Sequence, residues 1–140
     1  MDTKDQLALK SVDKMMRLDL FSQWMGVEII ETKFHYSKIK MLLRPEMMNG
    51  FGIAHGGITF ALADSAFAFA CNSEGKITVA LDVSISFPKA GKVGDVLTAE
   101  AKNINSTNKT GLYLIEVKNQ NDQLVALFKG TCYKTEKLLF

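Results

Sequence analysis

His55, Gly56 and Gly57 stand directly before a run of helix-forming apolar residues, and Asp64 is the single charged residue inside that run. The first N–H groups of a helix have no partner within it, and the macrodipole places about half a positive charge there. Glycines leave those groups bare, which suits a carbonyl oxygen that turns into an oxyanion. Burying a carboxylate such as that of Asp64 costs several kcal/mol unless it is paired or protonated, so an isolated acid in an apolar helix asks for a reason. Plainer roles exist for both: the glycines can serve tight packing of loop on sheet, and Asp64 can be a structural acid held by a backbone donor. Asn49, in a loop that also holds Gly50 and Gly52, has no periodic role. It can set a turn, or it can orient a water or a carbonyl with its amide.

Helical geometry separates these groups. Asp64 is seven residues beyond Gly57, which returns it to nearly the same face, roughly 10 Å further along the axis. One helix cannot bring both to a single atom. A two-fold pair can, if the acid of one protomer faces the helix start of the other. His55 is the other titratable candidate, as a packing or capping residue or as an acid–base group. His35 falls in an alternating stretch, on its expected solvent side, and Asp82 reads as a solvated strand acid.

Periodicity supplies the elements that must hold these residues. Leu7, Ala8, Val12, Met15 and Met16 repeat at helical spacing over residues 3–17, and a short turn carrying Phe21 and Trp24 stops at Gly26. From Val27 the period becomes two, with strands at Val27–Ile29 and Phe34–Leu43 and with Glu31-Thr32-Lys33 as a turn or an exposed segment. Pro45 ends the second strand. The run after Gly57 is apolar on nearly every face, the mark of a buried helix, and it is too short to cross a bilayer. Residues 77–87 then alternate, with Ile77, Val79, Leu81, Val83, Ile85 and Phe87 on one side. Strands at 96–104, 112–118 and 124–134 follow through hairpin-length turns and are therefore antiparallel. The class is α+β: a sheet that hides the apolar helix by curling around it, with the uncovered face left to another subunit, ahead of an open α+β sandwich in a monomer, which would leave the helix partly wet.

Composition narrows the rest. The chain reads as one domain over residues 1–140, with 1–24 as an N-terminal helical segment. Its net charge of +2 is scattered, which gives no stripe for nucleic acid and no polybasic membrane anchor. Cys71 and Cys132 fit no metal spacing and read as buried free thiols of a reducing compartment. The opening Met-Asp-Thr-Lys-Asp carries no apolar leader, so a cytoplasmic location is expected.

On these residues the chain resembles the hotdog-fold acyl-CoA thioesterases, above all the phenylacetic-acid-degradation (PaaI-like) branch. The resemblance rests on His55-Gly56-Gly57 with Asp64 and on the run from Ala63 to Ser73. Asn49-Gly50, the Gly94-Asp95 turn and the strand from Val125 to Gly130 add to it, so that it covers roughly residues 20 to 134. It implies a hotdog fold: a six-stranded antiparallel sheet wrapped around a long central helix. It also implies homodimers joined sheet edge to sheet edge and paired into homotetramers.

The same resemblance implies Asp64 as nucleophile or general base, and the Gly56 amide as the group that polarises the thioester carbonyl, with His55 and Gly57 beside it. Asn49 positions the reacting water or carbonyl. Where some relatives carry Ser or Thr on the strand after the helix, this chain has Ala80, which leaves more to Asn49 and Asp64 or gives the role to Thr78. Lys89 and Lys92 meet the phosphates of coenzyme A, or are ordinary turn lysines. The implied substrate is an acyl-CoA with an aromatic acyl group such as phenylacetyl or hydroxyphenylacetyl, and neither a metal nor a redox cofactor is implied. A thiol leaving group with a pKa of about 8.5 needs no strong general acid, only an oxyanion hole and an activated nucleophile.

Two other classes use the same residues. A hotdog hydratase or dehydratase acting on enoyl thioesters takes His55 and Asp64 as its acid–base pair, although the proline-rich run expected of that branch is missing. A non-catalytic acyl-CoA binding protein is compatible with the departure at Ala80.

Overall fold

The computed structural model of the protein describes residues 2–140. Helices α1 (Thr3–Leu18) and α2 (Leu20–Met25) precede strands β1 (Glu28–Lys33) and β2 (Tyr36–Leu42) and a 3-10 turn at Pro45–Met47. Helix α3 (Gly56–Cys71) and strands β3 (Lys76–Ser86), β4 (Val96–Ser106), β5 (Thr110–Lys118) and β6 (Leu124–Leu138) complete the chain. The strands form one sheet in the order β1-β2-β4-β5-β6-β3, antiparallel at every step. It is the α+β hotdog arrangement, with the sheet curled around α3. No helix among the described residues is long and apolar enough to cross a membrane.

The core lies between α3 and the sheet. Leu62, Ala66, Phe67 and Phe69 of the helix are buried with Ile39, Leu97, Tyr113, Ile115 and Phe128 of the strands. Each Leu, Ile or Phe side chain among them contributes about 1.5–3 kcal/mol of burial. Phe67 anchors the cluster, its ring centroid 5.8 Å from that of Tyr113 and 5.7 Å from that of Phe128. Cys71 and Cys132 are buried free thiols.

The covering of α3 is incomplete, contrary to its all-round apolar sequence. Phe60, Ala61, Asp64, Ser65 and Ala68 form a strip that stays half-buried in the protomer. Spacings of three and four residues put them on one face, and α2 reaches it through the contact between Ser22 and Ser65.

Two strand readings are corrected by the structure. Glu31-Thr32-Lys33 lies inside β1, and the turn is Phe34-His35, with His35 at φ 61°. His35 is therefore half-buried rather than on a solvent face of a strand. Its backbone N–H donates to Ser73 Oγ at 2.8 Å and its Nε2 meets Glu74 Oε2 at 2.6 Å. Burial pushes the Glu74 carboxyl up, but hydrogen bonds from Lys134 and His35 outweigh it and leave the group below its usual range. The cluster pins the β1–β2 turn to the end of α3.

In β3 the alternation breaks. Its pairing with β6 slips by one residue between Ala80 and Asp82, a bulge that swaps the inward and outward sets. Thr78 is consequently buried, Val83 and Ile85 reach the core, and Val79 and Leu81 are left 48% and 61% exposed. β3 is also a free sheet edge. At the opposite edge, β1 is backed by α1 and carries Glu28, Glu31 and Lys33, the charges that keep edges from pairing. Between Lys76 and Ser86, β3 has only Asp82.

Candidate active site

The approach to α3 is built by two loops. Asn49 shapes the first: its Oδ1 accepts the N–H groups of Phe51 at 2.9 Å and Ile53 at 3.3 Å, and its own N–H donates to the Ile53 carbonyl at 2.8 Å. Gly52, at φ 77°, makes the turn that this requires. The second loop follows β3 and closes on the first where Ala54 N–H donates to the Gly91 carbonyl at 2.9 Å. A Cβ on Gly91 would lie 2.7 Å from Leu43 Cδ1 and 3.1 Å from Ala54 Cβ, so a side chain there would have to push both aside.

A cavity opens where the loops meet the helix start, lined by Asn49, Gly56, Thr59, Phe87 and Lys89 among others. With its Oδ1 engaged, Asn49 has only its Nδ2 donors left to offer. Gly56 N–H donates to no acceptor among the described residues. The next amide is not free: Gly57 N–H donates to His55 Nδ1 at 2.9 Å, so His55 is the N-cap of α3. Gly56 also keeps the cavity open, because a Cβ there would sit 3.5 Å from the Phe87 ring. Asn49, Gly56 and Lys89 thus line one space, residue types that can hold a carbonyl oxygen and a nearby anion.

Asp64 lies elsewhere, in a second cavity with Asp19, Phe21, Ser22, Phe60 and Ser65. Its carboxylate makes no hydrogen bond or ion pair among the described residues. Burial raises its pKa, and the charge of Asp19 raises it further. The surrounding hydroxyls are occupied. Ser22 Oγ donates to Asp19 Oδ2 at 2.6 Å, and Ser22 N–H donates to Asp19 Oδ1 at 2.9 Å. The Ser22 proton being committed, the 2.8 Å contact between Ser22 and Ser65 has Ser65 as its donor. The cavity therefore presents acceptors only, around an unpaired acid.

Of the residues singled out by sequence, the structure gathers Asn49, Gly56 and Lys89, and it puts Asp64 eight residues along α3 from Gly56, roughly 12 Å of helix rise. His55 and Gly57 line a third hollow with Phe21, Trp24 and Met47. Thr78 is not brought to any of them. It is locked to the far end of α3, where its N–H donates to Asn72 Oδ1 at 2.8 Å and its Oγ1 to the Lys76 carbonyl at 3.1 Å. Lys92 is exposed in the loop, its N–H held by Asp95 Oδ2 at 3.0 Å, and it does not line the cavity that Lys89 does. Sequence reasoning missed Asp19, Ser22 and Ser65. Asp19 carried a signal, since Asp is a favoured N-cap, and α2 begins directly after it. Among the described residues no group of three or more His, Cys, Asp or Glu side chains gathers as a metal site.

Residues 51–126 match the family described as the thioesterase superfamily. A relative from Archaeoglobus fulgidus, whose name assigns it provisionally to the esterases, is 43% identical over 134 residues, 96% of this chain and 87% of that one. The acyl-coenzyme A thioesterase PaaI of Escherichia coli is 38% identical over 127 residues, 91% of each chain. The solved structure of E. coli PaaI superposes with a TM-score of 0.94 over 96% of this chain and 97% of that one, at 36% identity. A Streptococcus mutans protein solved with bound acetyl-CoA superposes with a TM-score of 0.77 over 80% of this chain and 90% of that one, at 28% identity.

Proposed function

The chain belongs to the thioesterase superfamily, and we infer from that membership and from its divided site that it is an acyl-CoA thioesterase, cleaving an acyl-CoA to the free acid and coenzyme A. The observation that carries the mechanism is the separation of Asn49 and Gly56 from Asp64 into two cavities. Each cavity holds half of what thioester hydrolysis needs. Two protomers facing each other supply both halves twice.

In each composite site the Gly56 N–H and the Asn49 amide hold the thioester oxygen as it gains negative charge. Asp64 of the facing protomer takes a proton from water as the water oxygen attacks the carbonyl carbon, or attacks that carbon itself to give an anhydride that water then opens. Either route needs the ionised carboxylate. The C–S bond breaks, and the thiolate of coenzyme A leaves and is protonated by solvent. Lys89 stands at the cavity mouth for a phosphate of the leaving group, while Lys92 and Thr78 have no part in this reading.

β3 is the edge along which the protomers join. It is uncovered and nearly uncharged, and it exposes Val79 and Leu81. Pairing it with a second copy extends the sheet and covers the half-buried strip of α3. A further pairing of dimers into a tetramer covers apolar surface that remains at Leu18 and Phe51. An aromatic acyl group of the phenylacetyl type suits the aromatic lining near Asp64. A cytoplasmic place, where acyl-CoA is made and thiols stay reduced, suits free Cys71 and Cys132. The hydratase reading is weakened because His55 is committed to capping α3, its Nδ1 accepting the Gly57 N–H.

The test is release of free thiol from aromatic, short and long acyl-CoA substrates, with enoyl-CoA absorbance followed in parallel. Thiol release supports the reading. Loss of the conjugated band without free thiol, or tight binding without turnover, overturns it.

A further inference from the structure

The second and third residues of α2, Phe21 and Ser22, have no role in the chemistry above, yet both line the cavity of Asp64. α2 is held firmly for a helix of six residues. Ser22 is tied to Ser65 of α3 at 2.8 Å. At the other end the Arg44 guanidinium donates to the Met25 carbonyl at 3.0 Å and to the Trp24 carbonyl at 2.8 Å, and it lies 5.0 Å from the Trp24 ring centroid. On this fixed support Phe21 is 53% exposed, and its ring stacks on Trp24 with centroids 5.9 Å apart and an interplanar angle of 23°. Core packing does not account for an aromatic ring so placed.

The polarity of the two cavities decides which end of a thioester goes where. The cavity of Asn49 and Gly56 contains Lys89 and leads to the loop after β3. The cavity of Asp64 contains no cation. Its charged groups are both carboxylates, its hydroxyl protons are already donated, and its remaining surface is Phe21, Phe60, Ala61 and Ala68. A pyrophosphate is repelled there, and an apolar acyl group is not. Ala61 and Ala68 stand one helical turn to either side of Asp64, so the space beside the carboxylate is left free for a group with thickness. Phe21 and Phe60 supply aromatic walls, and Phe60 is backed by Phe128 at 5.3 Å.

We propose that α2 is the acyl-recognising wall of the site and that Phe21 is the specificity-determining residue, favouring a compact, ring-bearing acyl group. This rests on the thioesterase reading and adds to it which residue selects the acyl chain. Phe21 also lines the neighbouring hollow of His55 and Gly57, so its ring is the partition that ends the acyl space.

The test compares kcat/KM for phenylacetyl-CoA and acetyl-CoA in the parent protein and in Phe21→Ala, Phe21→Leu and Leu20→Ala. Leu20 is exposed on the same helix and lines neither cavity. The ratio of the two substrates falls about tenfold in Phe21→Ala, the scale of a lost apolar pocket contact, chiefly through KM for phenylacetyl-CoA. It recovers in part in Phe21→Leu and holds in Leu20→Ala. Circular dichroism and light scattering identify any variant that loses its fold or assembly. An unchanged ratio in an active, folded Phe21→Ala enzyme overturns the assignment of Phe21 and leaves the thioesterase reading standing. No thiol release by the parent protein across the panel overturns both.

Discussion

His55 Nδ1 accepts the backbone N–H of Gly57 at 2.9 Å, immediately beside the N–H that stays unclaimed at Gly56. One side chain thereby decides which amide of the helix start stays free. Because Nδ1 is the acceptor, the ring proton of the neutral imidazole resides on Nε2.

His55→Ala should remove this cap and cost about 1 kcal/mol of stability, read as a lower unfolding temperature. His55→Asn, which restores a cap acceptor, should recover most of it. Equal destabilisation by the two variants in thermal unfolding would count against the capping role.

The acid at Asp64 is raised by burial and by the charge of Asp19, and this sets two pH effects. A carboxyl whose folded pKa exceeds its unfolded value supports folding fully below about pH 3.9, the unperturbed aspartate value, and that support is lost as pH rises through the raised pKa. Asp64→Asn should therefore be more stable than the parent at neutral pH, lose that advantage in acid, and release thiol at least a hundredfold more slowly. Asp19→Asn keeps a capping residue on α2 and should move the acid limb of the kcat/KM profile to lower pH. Parental activity in Asp64→Asn, or an unmoved limb in Asp19→Asn, contradicts these roles.

Sharing of the site is directly measurable. Asn49→Ala and Asp64→Asn should each be nearly inactive alone. Mixed in equal amounts and allowed to exchange, they should recover about a quarter of parental activity, since half the two-fold dimers are mixed and each of those has one intact site. No recovery after proven exchange places both groups in the same protomer's site.

The free edge of β3 makes a separate prediction. Leu81→Lys puts a charge on an exposed edge position and should shift sedimentation toward the monomer, with at least a tenfold loss of thiol release and an unchanged circular dichroism spectrum. An active dimer in this variant would show that the protomers meet elsewhere.

Sequence carried the framework well where periodicity or helix geometry governs. α3 with Asp64 on the face of Gly57 was legible because 3.6 residues per turn leaves no freedom once the run is helical. Asn49 and Gly56 were legible as loop and helix-start residues. The inward set of β3 was not, because a one-residue bulge at Ala80–Asp82 reverses the parity on which alternation depends, and Thr78 went with it into the Asn72 contact. His35 was misread for a related reason: a turn of two residues, Phe34-His35, interrupts what looked like continuous alternation. The Asp19–Ser22–Ser65 chain joins residues up to 46 positions apart in sequence, and only the packing of α2 on α3 creates it.

The distance between Gly56 and Asp64 along one helix also has a genetic consequence. In the proposed shared-site dimer, a protomer with a single defect, at Asn49 or at Asp64, should spoil one of the two sites in each mixed dimer and leave the other working. A protomer with both defects spoils both. Co-expressed with the normal chain, the doubly altered chain should act as a poison subunit that silences every mixed dimer, whereas either single alteration should leave each mixed dimer one working site.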